Sequence, residues 1–215
     1  MKAFFGKKLL APGLIGLVGL ASPAWGQDKA EKLIDIKAVV IDVQRTPDIA
    51  AKNVKEKRWT PKDWIEVEVP FIASAPRAAR DFKVFETLNF KYYILFENPD
   101  PKKRKTLTAE ITHTNVPVNE NVASVAYISP STILALTGNN RAQPNSITFW
   151  GVEVRYNGNV IGFLSSRGKS PTDAGAKWWE SDKAPAQAPG LMLSKPQTPF
   201  APLWGDYHCD VQATK

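Results

Sequence analysis

From Ile34 onward the chain changes polarity at every second residue, in one short run after another, and the runs are separated by strand-breaking residues. A period of two puts alternate side chains on opposite faces of a strand, so this pattern confines the chain to an all-β fold. Ile34, Ile36, Ala38 and Val40 predict a first strand that continues to Val43. In the second, Ile65, Val67, Val69 and Phe71 alternate with Trp64, Glu66 and Glu68, one face for a core and one for water. Leu88–Glu97 is the most aromatic run. Phe90, Tyr92, Ile94 and Phe96 share one face and Tyr93 and Leu95 the other, which predicts a central or covered strand. Thr106–Thr112, Val122–Ser129, Ile147–Tyr156 and Val160–Ser165 complete a set of about seven. Asn157-Gly158 between the last two is a hairpin signal.

The punctuation between the runs agrees with short connections. Gln44–Lys62 is polar and carries Pro47 and Pro61, which predicts a long loop. Pro130–Gly138 has a Ser or Thr cap, helically spaced apolar residues and a closing glycine, enough for one or two helical turns. Pro171–Gly190 has no period, although Leu191–Leu193 can pair briefly. Beyond it, Pro196, Pro199 and Pro202 predict an extended tail with Phe200, Leu203 and Trp204 as docking residues. Seven short strands and one helix fit an immunoglobulin-like antiparallel β-sandwich, with a closed barrel as the alternative.

The first 26 residues belong to a different problem. Lys2, Lys7 and Lys8 precede an apolar run, Leu9–Leu20, and then the small residues Ala21–Gly26. That layout predicts a secretory signal peptide over residues 1–26 and a single mature domain over 27–215. The apolar run is about a dozen residues, short of the roughly 20 of a spanning helix. The expected location is therefore extracytoplasmic, in the periplasm, at the outer membrane or on the cell surface, with no stable membrane span after cleavage. Three of the 28 basic residues leave with the leader, so a formal +7 falls to +4 against 21 acidic residues. The remaining basic runs, Lys52–Arg58 and Lys102–Lys105, come without nucleic-acid motifs and read as solvated loops, so no nucleic-acid partner is expected. The single cysteine, Cys209, excludes an intramolecular disulfide. It is buried, reactive or paired with another chain.

A search for chemistry finds no nucleophile motif and no phosphate loop. His113 and His208 are the only imidazoles, and His113 reads as a strand residue. Asp206, His208 and Asp210 would share one side of an extended tail, a weak metal pattern with no second cluster. Glu66, Glu68, Glu110 and Glu153 alternate with core positions and read as a wet face. No enzymatic activity, cofactor or metal is expected. The remaining candidates for contact with a partner or a glycan are four tryptophans: Trp59 and Trp64 at a loop-to-strand junction, and Trp178 and Trp179 in a polar connection.

Several phrases together, Phe90–Asn98, Lys105–Thr108, Val125–Pro130, Gly151–Val154, Lys177–Glu180 and Thr198–Trp204, resemble the pilus-like secreted protein family of Verrucomicrobia, whose Akkermansia member belongs to a type IV pilus-like cluster. The resemblance implies an immunoglobulin-like sandwich without known enzymatic activity and envelope or pilus-like proteins as partners. The chain departs from a type IV pilin in its short apolar N-terminal stretch; once that is cleaved the chain cannot polymerise through it, and pilus-like then means accessory or merely homologous.

Overall fold

The computed structural model describes residues 31–49, 55, 57–79, 81–98 and 100–213; the predicted leader and residues 50–54 and 56 of the predicted 44–62 loop lie outside them. Two sheets face each other. The first holds β1 (Ile34–Ile36) and β2 (Val40–Arg45) on one side of β3 (Asp63–Ala73), followed by β6 (Asn121–Ile128) and β10 (Met192–Ser194). The second runs β8 (Asn159–Ser165), β7 (Ile147–Tyr156), β4 (Val84–Phe96), β5 (Thr106–Pro117), β9 (Gln187–Pro189). This is the predicted β-sandwich, with α1 (Pro130–Thr137) the one α-helix among the described residues.

The core is built from the faces that the alternation marked. Ile65, Val67, Val69 and Phe71 of β3 meet Phe90, Tyr92, Ile94 and Phe96 of β4, all essentially inaccessible to solvent. Phe71 and Phe90 touch across the gap with ring centroids 4.9 Å apart. At α1, the Ser129 hydroxyl accepts the Thr132 N–H at 3.2 Å, and Gly138 closes the helix at φ 72°. Asn157 and Gly158, both at positive φ, make the tight turn joining β7 to β8.

The predicted first strand is two strands. Ile36 pairs with Phe71 and Val40 with Glu68, so the register slips by one residue opposite Pro70. Proline has no N–H for the ladder, and Lys37 instead donates its own N–H to the Pro70 carbonyl at 2.9 Å. A slip of one residue exchanges the two faces. Ile41 and Val43 therefore pack on the core, and Val40, expected inside, is exposed. The remaining additions to the expected seven, β9 and β10, are three residues each, too short to register as a period.

Both outer faces are covered, which alternation does not reveal. Segment 166–186 lies over the second sheet, where Trp178 and Trp179 form a small cluster with the outward Tyr93 and Leu95 of β4. The C-terminal tail lies over the first sheet, with Phe200 stacked on Tyr127 at 4.7 Å. The tail is consequently a packed series of turns rather than an extended strand. The wet-face reading of the glutamates fails at two positions: Glu66 and Glu153 are buried under these segments.

Candidate interaction surface

Three sets of buried polar groups tie covering segments to the sheets. In the first, Tyr92 donates its hydroxyl to Ser124 Oγ at 2.6 Å, and Ser124 Oγ lies 2.6 Å from His113 Nε2. His113 Nδ1 is 3.1 Å from the Asp210 carbonyl, which can only accept, so the proton sits on Nδ1 and Nε2 accepts from Ser124. The chain thus links β4, β6, β5 and the tail. Burial drives the His113 pKa down to about 4, so the ring is neutral at ordinary pH.

The second set is on the outer face of the first sheet. Tyr127 donates to Glu66 at 2.6 Å, while Glu68 lies 3.2 Å from the Tyr207 hydroxyl and 3.0 Å from His208 Nε2. Burial and the bond to Glu66 both raise the Tyr127 pKa and keep its phenol protonated. The third set is centred on Glu153, which binds Arg155 at 2.7 Å and Lys177 at 3.1 Å; Lys177 also reaches Glu180 at 3.1 Å. Glu68 holds the tail and Glu153 holds segment 166–186, while Glu66 is bound within the first sheet. His208 is buried whereas Asp206 and Asp210 are exposed, and the described residues contain no group of three or more metal-ligating side chains. Cys209 is free and half-buried, its thiol pKa pushed up to about 12 by burial.

Of the four tryptophans singled out by sequence, only Trp59 is open to solvent, at 51%. Trp64 is half-buried; its indole N–H donates to Thr46 Oγ1 at 3.1 Å, and its ring meets Phe200 edge-on at 5.8 Å. Trp178 and Trp179 are buried, with 8% and 4% of their surface exposed. Trp178–Glu180 is a 3₁₀ turn, and both rings reach the sheet, Trp179 stacking on Tyr93 at 4.1 Å.

The feature that sequence reasoning missed is a gap in a sheet edge. β9 pairs with β5 over Thr106–Thr108, and the chain then crosses as β10 to β6. The tail crosses in the opposite sense, from Ala123 of β6 to His113 of β5. Between the two crossings lies a groove of about 1020 Å³ beside Thr108–Thr112, with Met192, Leu193 and Val211 among its lining residues. Thr106 N–H bonds to Ala186 and Thr112 C=O to Gln212 on this edge. The period of two turns the Glu110 N–H and C=O to the same edge, where, among the described residues, neither β9 nor the tail bonds to them. An unpaired strand edge is a template for another strand. Only pairing distant in sequence creates it, so no local signal was there to find.

A protein-family model matches residues 26–215. The fold is similar to that in a crystal structure of a protein from Akkermansia muciniphila, with TM-score 0.71 and 27% identity, covering 85% of this chain and 94% of that chain. No curated protein matches.

Proposed function

The chain belongs to the family matched over residues 26–215, and from that premise we propose a non-enzymatic structural and protein-interaction module of the cell envelope, pilus-associated in the sense of the resemblance above. The observation that carries this reading is the Glu110 edge. It is held open between two crossings, and an extended segment of an envelope or pilus-like partner can add there by backbone hydrogen bonding. The anchoring of Glu68, His113 and Glu153 supports a static scaffold, since each of these side chains already fixes a covering segment. The proposed location is extracytoplasmic; no helix among the described residues is long and apolar enough to cross a membrane.

A photo-crosslinking amino acid in place of Glu110, introduced in the native cells, tests the reading. A crosslink to an envelope or appendage protein, absent when the probe is moved to exposed Glu86 on β4, supports it. A protein that stays uncrosslinked from both positions and fractionates as a free soluble species refutes it. The alternative of glycan binding is left with Trp59, whose exposed indole is its one supporting observation. Trp59→Ala in a fluorescence titration with mucin-type and plant oligosaccharides decides that case.

A further inference from the structure

Against the outer face of the second sheet lies a second cavity, of about 330 Å³, with Leu95, Phe149 and Trp178 as apolar lining and Arg167, Lys183 and Pro185 among its other walls. Phe149 and Trp178 sit 5.7 Å apart, inclined at 40°, so the lining is aromatic. The Arg167 guanidinium carbon lies 5.0 Å from the Phe149 ring centroid. A guanidinium held over a ring is weakly hydrated and keeps its planar donors for a carboxylate.

The charges here are not balanced internally. Elsewhere in the same layer, Arg155 and Lys177 are both bound by Glu153. Among the described residues, neither Arg167 nor Lys183 has a carboxylate within 4.0 Å. Thr106, the residue after the basic Lys102–Lys105 turn, bonds through its side chain to the Pro185 carbonyl at 3.0 Å, which brings that turn alongside. An apolar cavity of this size takes one or two side chains, and uncompensated cations at its wall favour a negative charge beside them.

We propose that this cavity receives an anchor from a partner protein: an apolar side chain packed against Phe149 and Trp178, with an adjacent Asp or Glu carboxylate on Arg167 and Lys183. The inference rests on the interaction-module reading and adds the chemistry of the partner's segment, at a site separate from the Glu110 edge.

The test is to pan the intact purified protein against a phage-displayed random dodecapeptide library and to synthesise the recovered sequences. The expected peptides share an apolar residue next to an acid and perturb tryptophan emission on binding. Arg167→Gln and Lys183→Gln each weaken binding by about three- to tenfold with an unchanged melting temperature, and exchanging the peptide's acid for its amide does the same. Binding weakens further between 50 and 300 mM NaCl. Recovery of no peptide, binding indifferent to both substitutions, or tighter binding of an acidic oligosaccharide such as oligogalacturonate overturns the proposal. Peptides that survive Arg167→Gln and Lys183→Gln but are lost on Glu110→Pro overturn it while leaving the interaction-module reading in place. Failure of the Glu110 crosslink in cells bears on that reading alone.

Discussion

His113 should make this fold acid-sensitive in a pH range where ordinary carboxylates are still largely ionised. In the folded chain its ring is enclosed between the sheets, donating to the Asp210 carbonyl and accepting from Ser124, and burial lowers its pKa from 6.5 to about 4. The unfolded chain binds a proton near pH 6.5, whereas the folded chain refuses it until about pH 4. Stability is therefore fully present above pH 6.5, falls as pH drops below it, and has lost the whole contribution once pH passes the folded value. At 1.36 kcal/mol per pKa unit, the difference amounts to about 3 kcal/mol. For a domain of this size that is a melting-temperature drop of roughly 6–12 °C. The assay is urea unfolding at intervals from pH 7.5 to 3.5 for the natural protein and for His113→Gln, which has no titrating ring. The variant is less stable at pH 7 because Ser124 and the Asp210 carbonyl lose their partner. Its further loss on acidification should be smaller by about 3 kcal/mol, since every other group, His208 included, is common to both proteins. Parallel pH profiles, or an imidazole resonance of folded His113 titrating near pH 6.5, would refute the reasoning.

Three further outcomes follow from the same geometry. Gly151 lies opposite Tyr93, and a Cβ there would sit 2.1 Å from the Trp179 ring, so Gly151→Ala should displace that indole, cost about 1–3 kcal/mol and red-shift tryptophan emission. Normal emission and stability would mean that Trp179 is not packed on the sheet. Glu68→Ala removes the acceptor of Tyr207 and His208; it should cost about 1–3 kcal/mol and speed amide exchange at Cys209 and Gln212, which pair with β6 and β5, while α1 amides stay protected. Cys209, with its thiol raised from 9.0 to about 12, should react with a thiol reagent at pH 8 about a thousandfold more slowly in the folded protein than in denaturant; equal rates would show an open thiol.

What the sequence by itself determined is whatever depends on neighbours along the chain. Alternation in β3–β8 marked the core faces because a strand's period is local, and Asn157-Gly158 specified its hairpin because both turn positions need positive φ. Ser129 and Gly138 bounded α1 for the same reason. Tyr93 and Leu95 even announced a covered strand, without saying by what. The tertiary structure alone decided the rest. Pro70 reversed the faces of β2 because a missing N–H acts on the partner strand, not on its own neighbours. Segment 166–186 and the tail carry no period, since they bury single rings against completed sheets rather than extend a ladder. Glu66 and Glu153 therefore look like surface glutamates in the sequence and are buried anchors in the fold. The Glu110 edge and the Arg167–Lys183 cavity arise where segments distant in the chain come together without quite closing. Contact at that separation is set by packing, and no local pattern encodes it.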